Sequence, residues 1–308
     1  MASPLTEAEV VRVRVAAKIN LALRSGSRRA DGYHPLATVF QAVSLYDEVE
    51  ARLAEPETFS VTVIGDQADQ VPTDDSNLAI RAARLLRDLV ATEPVGANLV
   101  IRKSIPVTGG MAGGSADAAA ALLACAVLWD LDVSPEEMRD FGARLGADVP
   151  FALTGGTALG TDRGDQLAPV LSRGSYHWVL AFSEEGLSTP EVFATFDELG
   201  RGNDHELEVP PELLGALVSG DPVALGKALI NDLQPAALAM RPDLGMILEV
   251  GSELGAVGGI VSGSGPTVAL LAANEADAVD LSVHLSSLGL CRAVKRVSGP
   301  VPGARLLN

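Results

Sequence analysis

Four glycines fall within six positions in the segment Pro106-Val107-Thr108-Gly109-Gly110-Met111-Ala112-Gly113-Gly114-Ser115-Ala116, and the apolar run Ala118–Trp129 follows it. A glycine-rich loop that opens a helix presents backbone N–H groups where no Cβ blocks approach. The helix N-terminus adds partial positive charge. That combination suits phosphate, so a nucleotide or a phosphate ester is the ligand to expect. A plain turn ahead of a core helix is the other reading of the same residues. Thr108 and Ala112 permit tight turns there if their φ stays negative. The segment is not a G-x-x-x-x-G-K-[ST] loop: Gly220 to Gly226-Lys227 is one residue too long, and Ala228 follows the lysine. Neither G-x-G-x-x-G nor a G-x-S-x-G nucleophile turn is present.

A second small-residue segment, Gly258-Gly-Ile-Val-Ser262-Gly263-Ser264-Gly265-Pro-Thr267, leads into Val268–Ala272, which reads as a buried strand. Glycine at this density lets a ligand or another backbone come close. A tight loop with no ligand fits it equally.

Cations are scarce at both segments. Only Lys18, Lys103, Lys227 and Lys295 are lysines. Lys18 lies in the apolar run Val15–Leu23, where an unpaired ammonium would be costly to bury. It needs a carboxylate or a phosphate, unless the strand is an edge and Lys18 faces water. Lys103 stands just upstream of the loop, as a nucleotide contact or a solvated strand-end lysine. Asp148 follows Gly146 and precedes Val149-Pro150-Phe151. It is either a carboxylate poised to accept a proton or the N-cap of the next helix. Tyr33 and Phe193 are rare aromatics in a chain with 4% of them. Flat rings suit stacking on a base, although a core tyrosine beside a turn and a helix-face phenylalanine explain them too.

The surrounding elements are mixed. Val11–Val15 alternates as a half-buried strand, and Ser76–Val90 reads as a helix with Leu78, Ala82, Leu85, Leu86 and Leu89 on one face. Ser134-Pro-Glu-Glu137 is a capping box that opens a helix closed by Gly146. Thr189-Pro190, Asp221-Pro222 and Asn274-Glu275 each start another. The polar stretch Arg201–Glu206 reads as an exposed loop. The order is not a regular βα alternation, so the fold class is α+β, with a switch near Arg173–Ser175.

The chain has 308 residues, 47% of them hydrophobic and 20% charged, with a formal net charge of −17. Such a chain can bury a sizeable core, and its charge opposes nucleic acid and anionic membranes as partners. Two cysteines make no disulfide framework, and no metal spacing is present. The acidic N-terminal residues Met1–Glu9 do not read as a signal peptide, and no apolar run reaches membrane-spanning length, so a cytoplasmic protein is expected.

Taken in order, Ala17-Lys18-Ile-Asn20-Leu-Ala-Leu23, Asp31-Gly-Tyr33-His34, the central glycine loop, Gly146-Ala-Asp148-Val-Pro-Phe151, Thr189-Pro-x-x-Phe193 and Gly263-Ser264-Gly265 resemble the GHMP kinases over nearly the whole chain. The resemblance implies a two-domain fold: residues 1–173 like ribosomal protein S5 domain 2, carrying ATP, and 174–308 ferredoxin-like, with the active site in the cleft between them. It implies ATP with Mg²⁺ as co-substrate and Lys18 with Asp148 as the catalytic pair. Lys103 and Pro106–Ala116 would contact ATP. Asp31–His34 points to the branch whose acceptor is a diphosphocytidyl methylerythritol, phosphorylated on its 2-hydroxyl in non-mevalonate isoprenoid synthesis. Tyr33 and Phe193 would then sandwich the cytosine, His34 would bond its edge, and Asn20 and Thr189 would meet the methylerythritol and diphosphate. Where relatives carry further glycines and a second serine, this loop has Thr108, Ala112 and Ala116. Ser115 keeps its hydroxyl. A monomer or weak homodimer is expected. A homoserine-type kinase and a non-catalytic ligand-binding protein on the same fold are the alternatives.

Overall fold

The computed structural model describes residues 10–202 and 207–307. Met1–Glu9 and most of the Arg201–Glu206 stretch lie outside them.

Strands β1 (Val10–Ser25) and β2 (Leu36–Leu53) form a long antiparallel pair. After β3 (Phe59–Gly65), α1 (Leu78–Val90) and β4 (Ala97–Lys103) come α2 (Gly113–Leu128), α3 (Pro135–Leu145) and α4 (Val149–Thr154). Strands β5 (Thr157–Asp162) and β6 (Gln166–Pro169) follow. The chain then enters β7 (Tyr176–Phe182), α5 (Thr189–Glu198), α6 (Pro211–Ser219) and α7 (Pro222–Ala228). It closes with β8 (Ile230–Asn231), α8 (Gln234–Met240), α9 (Asp243–Glu253), β9 (Gly258–Val261), β10 (Val268–Ala272), α10 (Glu275–Ser287), β11 (Ala293–Gly299) and β12 (Arg305–Leu306).

These strands make two sheets. The first runs β12-β1-β2-β4-β3, with β5 on the other half of β2, β6 beyond it and β8 beside β1. The second runs β11-β7-β10-β9, all antiparallel. The architecture is α+β. The chain passes from the first sheet to the second between Pro169 and Tyr176, then returns β8 and β12 to the first. Every residue of β10 is buried, as a continuous apolar run between two neighbours requires.

Strand β1 is an interior strand, flanked by β2 on one side and by β8 and β12 on the other. Its register shifts between Ala16 and Ala17 and again between Asn20 and Ala22. Such bulges bend a strand and re-aim its side chains. Lys18 and Asn20 lie between them, two residues apart and so on one face. The edge-strand reading of Lys18 is therefore overturned: its side chain is buried, with 7% of its surface exposed.

Two helix expectations change. Helix α2 starts at Gly113, five residues ahead of the apolar run, so Gly113, Gly114 and Ser115 are its first turn rather than the end of a loop. In α1 the buried face is Ala79, Ile80, Ala82, Ala83 and Leu86, and Leu89 is exposed. The small residues let α1 approach α2 closely, and the larger Leu89 is left outside. The capping box at Ser134 forms with both bonds, and Asp221 and Asn274 cap α7 and α10. Among the described residues no helix is long and apolar enough to cross a membrane.

Candidate active site

A cleft of about 1190 Å³ is lined by β1, β2, the turns before α2 and after α3, α5 and the turn 263–264. In a chain of net charge −17, four cations line it (Lys18, Arg28, Arg144 and Arg163) against two carboxylates, Asp148 and Asp197. A local excess of positive charge in a concave site favours a multiply charged anion.

At its floor Lys18 Nζ donates to Asn20 Oδ1 at 2.7 Å and to the Gly110 carbonyl at 3.0 Å. Asn20 Nδ2 in turn donates to Thr38 Oγ1, which donates to the Ala22 carbonyl. The chain of bonds fixes the amide so that its oxygen faces the ammonium. Burial pushes the Lys18 ammonium below the usual lysine range, and the Asp148 carboxylate pulls it partly back up.

The two glycine segments pack on each other. Ser262 Oγ donates to the Gly110 carbonyl at 3.1 Å, and Thr267 N donates to the Gly109 carbonyl. Gly110 has φ of +74°, and a Cβ there would collide with the Ser262 carbonyl. Gly263 has φ of +57°, and a Cβ there would stand 3.1 Å from Lys18 Nζ. Asn231 of β8 braces the second turn by donating to the Val261 and Gly263 carbonyls, both at 2.8 Å. Thr189 Oγ1 and Ser264 Oγ are 2.8 Å apart.

Thr108 and Ala112 do not keep negative φ. They sit at +50° and +60°, in the left-handed region, at a cost of roughly 1–2 kcal/mol per residue. Ala112 is the N-cap of α2, with no side chain to cap it. Gly113 and Gly114, in its first turn, line the cleft, and among the described residues no side chain caps them. Thr108 Oγ1 fills the space that a Cβ at Gly186 would occupy. Met111 and Ala116 are turned into the core, and Pro106 is buried outside the lining.

Lys103 is a correction. It is neither a solvated strand end nor part of the cleft wall. Its ammonium is buried between Asp47 Oδ2 at 2.5 Å and Asp117 Oδ2 at 2.8 Å. Burial lowers the lysine's proton affinity, but the two carboxylates outweigh it and the net shift is upward. Asp47 Oδ1 also accepts from the N–H groups of Ser104 and Ile105. Asp117 Oδ1 has no hydrogen-bond partner among the described residues, and burial pushes that carboxyl up to about 8 against the pull of Lys103. This triad lies directly beneath Gly113, where a Cβ would be 3.1 Å from Lys103 Nζ.

Asp148 occupies the N-cap position of α4, yet its side chain makes no cap hydrogen bond. The capping role is thus vacant, and the half-buried carboxylate lines the cleft near Lys18.

At the far end His34 stacks on Phe193, with ring centroids 4.6 Å apart and planes at 22°. His34 Nε2 bonds Asp197 Oδ1 at 2.8 Å. Tyr33 is 55% exposed, and the Arg163 guanidinium lies 5.6 Å from its ring centre. Both aromatic rings line the cleft.

Residues 77–156 match the family described as GHMP kinases N terminal domain, and residues 213–289 match GHMP kinases C terminal. The chain belongs to the GHMP kinase family. It is 53% identical over 301 residues to 4-diphosphocytidyl-2-C-methyl-D-erythritol kinase of Mycolicibacterium gilvum, which covers 96% of this chain and 92% of that one. It is 52% identical to the protein of the same name from Cutibacterium acnes, covering 96% and 97%. A crystal structure of 4-(cytidine 5'-diphospho)-2C-methyl-D-erythritol kinase superposes with a TM-score of 0.73 at 31% identity, covering 93% of this chain and 98% of that one.

Within this GHMP kinase, sequence reasoning missed Arg28, Arg144, Arg163 and Asp197, all of which line the cleft. None belongs to a spaced pattern. Nothing in their sequence neighbours sets them apart from any other surface charge: Arg144 stands between Ala143 and Leu145, and Asp197 follows Phe196.

Proposed function

We propose that this GHMP kinase transfers the γ-phosphoryl group of ATP to the 2-hydroxyl of 4-diphosphocytidyl-2-C-methyl-D-erythritol, a step of non-mevalonate isoprenoid precursor synthesis. Identity at about half the positions, along nearly the whole chain, to relatives named for that reaction carries this reading. On it, residues 1–173 form the ATP-binding domain. Residues 174–308 form the second, which lends β8 and β12 to the first sheet.

Phosphoryl transfer asks the protein mainly for position and charge stabilisation. The triphosphate lies against the glycine loop and the first turn of α2. The acceptor hydroxyl lies between Lys18 and Asp148. As its oxygen bonds to the γ-phosphorus, its proton passes to the Asp148 carboxylate and ADP leaves. An ordinary carboxylate is a weak base for an alcohol, so Asp148 chiefly orients the hydroxyl and takes the proton late. Lys18, fixed by Asn20 and Gly110, offsets the negative charge on the transferring group.

The cytosine takes the cleft-facing sides of Tyr33 and Phe193. His34, anchored by Asp197, bonds its edge, and Asn20 and Thr189 meet the polyol and diphosphate. A magnesium ion would neutralise the β- and γ-phosphate oxygens. The donor set fits an ion held mostly by phosphate and water. Ser115 brings to the cleft a hydroxyl that has no partner among the described residues. No group of three His, Cys, Asp or Glu among the described residues could cage a metal ion.

The test is ADP formation by the purified chain with the diphosphocytidyl acceptor, homoserine and mevalonate in parallel. Turnover with the first alone is expected. Turnover with homoserine and none with the cytidyl compound would overturn the assignment.

A further inference from the structure

The glycine loop has a charge problem of its own making. No lysine or arginine occurs between Pro106 and Ala116. The nearest cation in sequence, Lys103, is spent on Asp47 and Asp117 beneath the loop. Among the described residues the Lys18 ammonium bonds the loop at Gly110, on a backbone carbonyl. At the other end of the loop, Ser115 Oγ lies 3.8 Å from where a Cβ of Gly146 would be. Gly146 terminates α3, so the start of α2 and the end of α3 face each other there. A helix start carries roughly +0.5 charge and a helix end roughly −0.5. The end of α3 therefore works against the anion that the start of α2 attracts.

Arg144 sits in the last turn of α3 and lines the cleft. It is exposed, and among the described residues it forms no hydrogen bond or ion pair. Arg28 donates Nε to the Gly32 carbonyl, and Arg163 is paired with Asp165, both at the Tyr33 end. Arg144 is thus the cation available where the loop meets α3. A guanidinium stays charged at any working pH and forks onto two phosphate oxygens.

We propose that Arg144 binds the terminal phosphates of the nucleotide donor, from the end of the glycine loop opposite Lys18. The residue offsets the negative end of α3 and supplies the charge that the loop lacks. This rests on the kinase reading above.

The experiment compares Arg144→Gln and Arg144→Lys with the unaltered protein. Steady-state kinetics give kcat/KM for ATP and KM for the cytidyl acceptor. Calorimetry gives affinities for a non-hydrolysable ATP analogue and for adenosine. In Arg144→Gln, kcat/KM for ATP should fall about 10- to 100-fold, the scale of losing a charge-assisted hydrogen bond. The ATP analogue should weaken by a similar factor, with adenosine affinity and acceptor KM within twofold. Arg144→Lys should recover part of the loss. Unchanged kcat/KM for ATP, equal weakening of adenosine and the analogue, or a rise confined to acceptor KM would each overturn the proposal. If the unaltered protein turns over no acceptor, the kinase reading fails, and the contrast between analogue and adenosine still decides the role of Arg144.

Discussion

Lys18 Nζ donates to the Gly110 carbonyl at 3.0 Å, and this bond fastens a buried cation of β1 to the loop that opens α2. The same carbonyl accepts from Ser262 Oγ. One oxygen thus joins three segments that are far apart in the chain. A shift of the loop would carry the Lys18 charge with it.

Asp148→Asn is expected to lower kcat by about 100-fold or more, the usual scale for losing a positioned proton acceptor. The amide keeps the shape, and the original side chain makes no cap bond to lose. Melting temperature and acceptor binding should therefore hold. Near-normal turnover in this variant would remove Asp148 from the chemistry.

The pH profile should report Lys18. Its ammonium is held below the usual lysine range by burial, and Asp148 opposes that shift. Activity that needs the charged form is present at low pH and is lost as pH rises through the lowered value. The alkaline limb of kcat should accordingly lie below the ordinary lysine range. In the residual activity of Asp148→Asn it should move lower still, because the opposing charge is gone. A limb that does not move would dissociate Lys18 from Asp148.

The glycine segments and Lys18 were legible in the sequence because missing side chains and a rare charge are visible in one dimension. The triad was not. Asp47 and Lys103 are 56 positions apart, and only the β2–β4 pairing and the turn after β4 bring them together. Nor was the positive φ of Thr108 readable, since a Thr carries no local preference for it. Its side chain is accommodated by the absence of a Cβ at Gly186, in the turn ahead of α5. The α2 start was misplaced for a related reason: glycine disfavours helix interiors, but the first turn tolerates it.

The triad should tie stability to pH. Asp117 has its proton affinity raised from 3.8 to about 8 in the folded chain. Between these values the folded state holds a proton that the unfolded state has released, so this group's contribution falls as pH rises through the window. Asp117→Asn cannot titrate. Its stability, followed by urea unfolding from about pH 4 to pH 8, should decline less or rise more steeply with pH than that of the parent. Parallel curves would show that Asp117 does not hold the proton. Lys103→Met leaves Asp47 buried without its cation and should cost about 3–5 kcal/mol.

Gly110 and Gly114 should separate folding from nucleotide binding. Gly110→Ala forces a Cβ into the Ser262 carbonyl at a positive φ, so both stability and activity should fall. At Gly114 a Cβ meets only Leu78 Cδ1, at an ordinary 3.5 Å. Gly114→Ala should melt no lower than the parent, yet raise KM for ATP, because a methyl group then stands where phosphate approaches the first turn of α2. Equal KM values for Gly114→Ala and the parent would place the phosphates elsewhere.

On the proposed function, Tyr33 and Phe193 should carry the choice of acceptor. A base stacked on an aromatic ring is worth about 1–3 kcal/mol by alanine substitution, or roughly 5- to 150-fold in affinity. Tyr33 is more than half exposed, beside the Arg163 guanidinium, so Tyr33→Ala should leave the fold intact. Phe193 also supports His34, so Phe193→Ala should disturb the His34–Asp197 bond and cost more than stacking alone. CDP should compete with the acceptor at saturating ATP in the parent chain, less well in Tyr33→Ala, and least in Phe193→Ala, with KM for ATP unchanged throughout. A phenylalanine at position 33 keeps the ring and should restore competition, whereas a leucine, of similar bulk but without a π face, should not. Equal inhibition by CDP in all five proteins would mean that the base binds outside this end of the cleft.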